Sequence, residues 1–149
     1  MVANIDATLF ITENRFDRQI LLLSKLSNQT RLELVIWLYP ESRVDNIIGY
    51  RVSSPTTVNA TPVTTYAGHL AGRCTQRLPI TDDLIRAIAL NEVDFINECD
   101  SLCVYHPSQA EWVASFISHE GVILIKDGSL LVDLEALDFK ASPHAPAWW

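Results

Sequence analysis

An alternation of apolar and polar residues in the last third of the chain restricts the fold more than any other feature. Residues 101–105, 111–118 and 122–126 follow the period of two that a β-strand imposes. The segments 106–110 and 119–121 that join them are five and three residues long, and they contain proline and glycine. A parallel crossover needs a dozen or more residues, whereas antiparallel neighbours accept short turns. The sequence therefore predicts an antiparallel meander in this region.

The strongest helix signal in the chain starts at Thr81. A threonine can cap the first turn here, and Asp82 and Asp83 follow at the end where the helix dipole favours negative charge. Apolar residues then recur at helical spacing as far as residue 99, which predicts one long amphipathic helix. Its predicted apolar face consists of Ile85, Ile88, Ala89, Ile96 and Cys99, with Leu84 and Phe95 widening it.

Weaker patterns predict the remaining elements. Residues 13–27 carry apolar residues at helical spacing, and a short helix is expected to open at 127–129 and to continue to Leu137. Residues 31–39 alternate, which favours a buried strand, although part of the same set would also fit a helix. Further strands are expected at 6–12, 47–53, 63–67 and 139–141, and a loop is expected at 68–79.

Together these elements predict an α+β fold. The chain has 149 residues, the size of one domain, and 48% of them are hydrophobic, which is enough to build a core. We expect a mainly antiparallel sheet with two to three helices packed on one face. Residues 1–141 are predicted to form this single domain, and residues 142–149 are predicted to form a C-terminal tail rich in proline and tryptophan.

The charge of the chain limits its partners. Eighteen Asp and Glu residues outnumber eleven Lys and Arg, and the net charge of −7 disfavours DNA or RNA as a main partner. The excess is concentrated after residue 80, where twelve acidic residues accompany three basic ones. The apolar runs are too short for a membrane span, and the N-terminus lacks a secretory signal. We therefore expect a cytoplasmic protein whose three cysteines are reduced.

Two features predict a protein-binding surface. The helix expected after Thr81 carries a row of carboxylates opposed only by Arg86, which suits a partner with a basic face. A tryptophan pair ends the chain, and tryptophans are common interface anchors, although this pair could instead fold back onto its own domain. The predicted partner-binding residues are Asp82, Asp83, Glu92, Asp94, Glu98, Asp100, Trp148 and Trp149.

Motifs for catalysis, metals and cofactors are sparse. No Walker loop, G-x-G-x-x-G or G-x-S-x-G sequence occurs, and no cofactor is predicted. The spacing of Cys99, Cys103, His106 and His119 matches no standard zinc site, so we predict buried thiols and turn histidines rather than a metal centre. An enzyme or ligand-binding domain would have to draw on scattered residues, namely His69, Cys74, His106, His119 and Glu120.

The sequence therefore favours a small, acidic, cytoplasmic protein-binding module over an enzyme. Its most specific form is an immunity or inhibitor protein that neutralises a basic partner, such as a toxin, by covering its positive cleft. A secretion chaperone or adaptor is an alternative of the same class, and we would expect it to form a homodimer with exposed apolar grooves. A small enzyme or ligand-binding domain is the alternative from a different class.

Overall fold

The computed structural model describes residues 8–63, 72–126 and 133–147. Within these residues the α-helices are α1 (Phe16–Ser27), α2 (Asp82–Ala89) and α3 (Glu92–Glu98). The strands are β1 (Leu9–Thr12), β2 (Glu33–Leu38), β3 (Asn46–Ile47), β4 (Tyr50–Arg51), β5 (Leu78–Pro79), β6 (Cys99–Tyr105), β7 (Ala114–Ile117), β8 (Val122–Ile125) and β9 (Lys140–Ser142).

Seven strands form one sheet in the order β5–β2–β6–β7–β8–β1–β9, and every neighbouring pair is antiparallel. The remaining two strands, β3 and β4, pair as a separate hairpin. The predicted meander is confirmed in β6, β7 and β8, where Leu102 lies opposite Phe116 and Phe116 lies opposite Ile123. The first strand of the chain, β1, then pairs with β8 and so brings the N-terminal part of the chain against the meander.

The turn between β7 and β8 requires glycine. A 3₁₀ turn at Ser118–Glu120 ends at Gly121, which has a φ of 65°. A Cβ at Gly121 would clash with Asn14 Oδ1, in the segment that follows β1. The carbonyl of Gly121 also accepts a hydrogen bond from Glu13 N–H at 2.8 Å, so the turn ties the N-terminal segment to the meander.

One face of the sheet, the helix face, packs against the helices. The rings of Phe16 in α1 and Phe95 in α3 have their centroids 6.3 Å apart, and Leu84 and Ile88 of α2 join the same core. The buried residues that the sheet contributes include Ile11, Leu34, Ile36, Leu102, Val104, Phe116 and Ile123. Burial of this apolar surface is the main force that holds the helices on the sheet.

The opposite face of the sheet, the strap face, is covered by an irregular segment. Its buried residues on the sheet include Val35, Trp37, Cys103, Tyr105, Ile117, Val122 and Leu124. Residues 58–63, called the strap below, pack against them through Val58, Ala60 and Val63. Cys74 is buried in the same core and forms isolated β-bridges to Trp37 and Ser53. The sheet is therefore covered by helices on one face and by an irregular segment on the other.

Most of the predicted fold is confirmed. The chain forms an α+β fold with a largely antiparallel sheet, and the elements expected at 6–12, 13–27 and 139–141 are β1, α1 and β9. The strand favoured at 31–39 is confirmed as β2, Glu33–Leu38, whose side chains are buried on both faces of the sheet. A strand of this kind is apolar throughout, which is why the sequence also fitted a helix.

The expected long helix after Thr81 is wrong in one respect. The chain forms two helices, α2 and α3, because it bends at Leu90 and Asn91. The strand expected at 47–53 is likewise interrupted, and it becomes the hairpin of β3 and β4 with Ile48 and Gly49 at positive φ in its turn.

The remaining element predictions are only partly met. Residues 133–138 form a hydrogen-bonded turn rather than a helix, and 127–132 lie outside the described residues. Val63 is described and is not in a strand, whereas 64–71 lie outside the described residues. The loop expected at 68–79 ends in the short edge strand β5, where a proline is tolerated because one side of an edge strand needs no hydrogen-bond donor.

Candidate protein-binding surface

Most of the predicted partner-binding residues lie on α2 and α3, on either side of the bend between these helices. Helix α2 begins after Thr81, whose Oγ1 accepts a backbone N–H hydrogen bond from the first turn at 3.1 Å. At the bend, Asn91 Nδ2 donates to Ala87 O at 2.7 Å, and Asn91 O accepts from Phe95 N–H at 3.2 Å. These hydrogen bonds fix the start of α2 and the angle of the bend. We call residues 82–94 the acidic elbow.

The acidic elbow exposes four carboxylates, those of Asp82, Asp83, Glu92 and Asp94. Within the described part of the chain, only Asp83 among these four forms an ion pair, with its Oδ1 3.4 Å from Arg86 Nη1. The Asp83 and Arg86 side chains are 93% and 69% exposed, so water screens the pair. The elbow therefore keeps a negative surface that a cationic partner could reach.

Two large apolar side chains, Leu90 and Val93, stand at the bend of the acidic elbow. They are 77% and 70% exposed, whereas Ile88 and Phe95 beside them are fully buried. Sequence reasoning missed both residues because it treated the region as a charged helix surface with one buried face. The sequence does carry a signal, since neither residue belongs to the apolar face predicted for that helix.

Two predicted residues do not belong to this exposed surface. Glu98 is partly buried at the end of α3, and its Oε2 accepts a hydrogen bond from Ser42 Oγ at 2.6 Å. Asp100 is only 6% exposed and lies in strand β6, so its expected place on an acidic helix is wrong. The chain has already changed from helix to strand at this point. Trp148 and Trp149 lie outside the described residues.

The other carboxylates after residue 80 are divided among several places. Glu111 Oε2 lies 3.7 Å from Lys126 Nζ, and Glu120, mostly buried, has Oε1 3.5 Å from His119 Nε2. Asp133 Oδ1 accepts a backbone N–H of its own turn at 3.0 Å. The expectation of one continuous acidic surface is therefore too broad. Among the described residues, the exposed carboxylates after residue 80 include the acidic elbow and a second group at Asp133, Glu135 and Asp138.

The residues that an enzyme would need are scattered. Cys74 is buried on the strap face, while His106 follows β6 at one end of the sheet and His119 follows β7 at the other end. His119 and Glu120 are neighbours in the chain and in space. His69 lies outside the described residues. The described members of this set do not converge on one cleft, so they do not support the enzyme alternative.

The three cysteines are buried and unpaired. Burial raises the pKa of Cys74 from 9.0 to about 11, and it also raises the pKa of Cys99 and of Cys103. The thiolate is the reactive form of cysteine, so these shifts make all three thiols poor nucleophiles at neutral pH. In the residues that the structure describes, no three His, Cys, Asp or Glu side chains are placed to hold a metal ion.

Comparison of the chain with family models, curated proteins and solved structures gives no significant match. Across 8–63, 72–126 and 133–147, no helix combines the length and the apolar character that a membrane crossing requires. The class that the structure defines is thus an antiparallel α+β domain with helices on one face of its sheet.

Proposed function

We propose that the chain is a small protein-binding module of the immunity or inhibitor kind, which neutralises a basic partner such as a toxin through the acidic elbow. The observation that carries this proposal is the exposure of Leu90 and Val93, at 77% and 70%, among four exposed carboxylates. In protein interfaces an apolar centre supplies much of the affinity, while charges at the rim raise the association rate and select the partner.

The acidic elbow is held in place by buried side chains and hydrogen bonds, which supports docking without rearrangement. Ile88 and Phe95 are fully buried and anchor its two helices in the core of the helix face. The hydrogen bonds of Thr81 and Asn91 hold the start of α2 and the bend. A surface that is ordered before binding loses less conformational entropy when the complex forms, and this supports its use as a docking site.

Charge supports a basic partner. Between residues 82 and 98 the chain has five acidic residues and one basic residue, in a protein whose net charge is −7. Such a surface attracts cations at a distance and weakens in high salt. In this proposal the module acts in the cytoplasm, and its three unpaired cysteines are compatible with a reducing compartment.

The experiment is affinity capture by the immobilised full chain from cells of its source, followed by measurement of Kd for the captured protein. The test variant is Leu90→Ser with Val93→Ser, because both side chains are exposed and the change leaves the core intact. We expect this variant to weaken the captured complex by at least about tenfold, because the apolar area of two side chains is no longer buried in the complex. Wild-type binding should also weaken steeply as salt rises.

A matched pair of charge variants separates the elbow from the overall charge. Glu92→Gln with Asp94→Asn changes the elbow, whereas Glu111→Gln with Glu135→Gln removes the same charge elsewhere. The elbow pair should slow association several-fold, and the distant pair should have a much smaller effect. Equal effects of the two pairs, or a complex indifferent to the Leu90 and Val93 changes, would overturn the proposal.

A further inference from the structure

A cavity of about 310 Å³ lies next to the acidic elbow, at the C-terminal end of α3. Its walls come from two distant parts of the chain. The segment after β2 contributes Tyr39, Glu41, Ser42 and Arg43, and the end of α3 contributes Asn97 and Glu98. The lining therefore combines an aromatic residue with two acidic residues and one cation, Arg43. A second cation, Arg73, donates from Nη2 to the carbonyl of Ser42 at 3.2 Å.

Hydrogen bonds hold the two walls together. The Tyr39 N–H donates to Glu98 O at 3.0 Å, and Ser42 Oγ donates to Glu98 Oε2 at 2.6 Å. The Ser42 N–H also donates to Tyr39 O at 3.1 Å, and the Tyr39 ring makes an edge contact with His119 at a centroid distance of 5.2 Å. The aromatic wall and one carboxylate are thus oriented before any ligand arrives.

The electrostatic surroundings of Tyr39 are negative. Burial raises the pKa of its phenol, and the nearby charges of Asp100, Glu120 and Glu41 raise it further. The phenol therefore stays neutral, and its ring offers a π-face in a region of negative potential.

We propose that this cavity binds the guanidinium group of an arginine side chain. An arginine stacks its planar group on an aromatic ring and pairs with carboxylates through two parallel N–H groups, whereas lysine offers a single compact charge. Tyr39 supplies the ring, and Glu41 and Glu98 supply the carboxylates. That the arginine belongs to the partner of the acidic elbow rests on the proposed function, while the affinity of the cavity for guanidinium does not.

The test is a titration of the isotope-labelled full chain, followed by NMR, with N-acetyl-arginine amide in low salt. N-acetyl-citrulline amide is the matched control because it has nearly the same shape without the charge. We expect the arginine compound to shift the amide signals of Ser42, Asn97 and Glu98 and to bind at least about tenfold more tightly than the citrulline compound. Equal binding of the two compounds, equal binding of N-acetyl-lysine amide, or shifts confined to Asp82 and Asp83 would overturn the proposal.

Variants of the cavity give effects of opposite sign. Glu41→Gln should weaken arginine binding several-fold, and Arg43→Gln should strengthen it about twofold because a like charge is removed. Tyr39→Leu should weaken it about threefold through loss of the ring, whereas Tyr39→Phe should retain it. Since Glu41 and Arg43 are exposed, these two variants remain informative even if Tyr39→Leu fails to fold. Unchanged affinity in both would contradict the assignment.

The outcomes also separate the cavity from the proposed function. If arginine binds but the Leu90 and Val93 changes leave the captured complex intact, the elbow proposal fails and the cavity stands. If those changes break the complex and arginine does not bind, the cavity assignment alone fails.

Discussion

The two faces of the sheet are covered in different ways. On the helix face, apolar side chains of α1, α2 and α3 interdigitate with those of the strands, and burial itself holds the cover in place. On the strap face, a short irregular segment supplies Val58, Ala60 and Val63 against a row of strand residues that includes Trp37 and Tyr105. A segment of this kind buries little apolar area, so polar contacts must fix it.

Arg77 is the centre of those polar contacts. Its guanidinium pairs with the Glu33 carboxylate at 2.8 Å and lies 4.8 Å from the centre of the Tyr105 ring. It also donates to three backbone carbonyls, those of Asn59 in the strap and of His106 and Gln109 in the loop after β6. One side chain thus connects the strap, the sheet edge and a neighbouring loop.

A short chain of hydrogen bonds continues this network into the core. Trp37 Nε1 donates to Tyr105 Oη at 3.1 Å, and Tyr105 Oη donates to Thr61 O at 2.7 Å. Polar groups buried this deeply are costly to leave unpaired. The cover of the strap face is therefore held by a few hydrogen bonds, whereas the cover of the helix face is held by many apolar contacts.

Replacing Arg77 by Ala should produce the largest difference between the faces. The change removes a partly buried ion pair and three carbonyl contacts, and we expect a loss of about 2–3 kcal/mol in the free energy of unfolding. It should also loosen the strap locally, so that Cys74 and Cys103 react with an alkylating reagent before Cys99, which lies in the helix-face core. Mass spectrometry of the alkylated peptides checks the order.

The matched control for this prediction is Phe95→Ala. Phe95 is fully buried on the helix face, and its truncation should cost about 3–5 kcal/mol. Because that loss promotes unfolding of the whole domain, it should increase the reactivity of all three cysteines together. Arg77→Lys keeps the charge but not the planar fork, and it should fall between wild type and Arg77→Ala. If Arg77→Ala also exposes Cys99 in step with the others, the strap is not a separate unit.

The pH dependence of stability should report on the strap face through Cys74. Its pKa is raised by burial from 9.0 to about 11, so between these values the unfolded thiol has lost its proton while the folded thiol keeps it. Stability from this group is fully present below about pH 9 and falls as pH rises towards 11, by about 2 kcal/mol. Urea unfolding at several pH values measures the fall. Cys74→Ala should make the fall in this window shallower by that amount, while the buried thiols of Cys99 and Cys103 keep a residual slope. A slope as steep as that of the wild type would refute the assignment.

The parts of the fold that the sequence predicted are those set by local pattern. The meander followed from alternation and short connectors, and α1 followed from helical spacing. Strand β2 was favoured by alternation, but a helix also fitted because both faces of the strand are buried and apolar. The bend at Asn91 was missed because a single polar residue does not reveal that its side chain will bond back to Ala87.

Of the candidate site, the sequence predicted only the exposed carboxylates. The four carboxylates of the acidic elbow are exposed as expected, since a helix start favours them and leaves them in water. Burial of Asp100 depends on where the chain turns into β6, and the pattern did not mark that point. The cavity beside α3 unites Tyr39 with Glu98, which are far apart in sequence, and no local signal could join them.

The smallest predicted changes in the free energy of unfolding come from Ser108 and Asp138, two non-glycine residues with left-handed backbone conformation. Ser108 lies in a loop bonded to the strap face, and Asp138 lies in a turn that packs on the helix face. Ser108, with φ at 67°, is the third residue of a turn closed by Gln109 N–H and His106 O at 3.1 Å, in the loop that Arg77 binds. Asp138, with φ at 61°, ends the turn whose Leu134 and Leu137 pack on the helix-face core. Both positions favour glycine, since Ser108 follows a proline in a type II arrangement and Asp138 follows a helical turn.

Substituting glycine should therefore stabilise both sites, but unequally. Ser108→Gly should add about 1 kcal/mol to the free energy of unfolding, because a left-handed conformation costs serine about 1–2 kcal/mol and glycine recovers most of it. Asp138→Gly should add only about 0.5 kcal/mol, since aspartate tolerates this region better. Urea unfolding measures both, and alanine at each position is the control because it keeps the backbone penalty. If alanine stabilises as much as glycine, the gain comes from the lost side chain. If both glycine variants are destabilised, these turns are held by contacts of Ser108 and Asp138 rather than by the conformation of the chain.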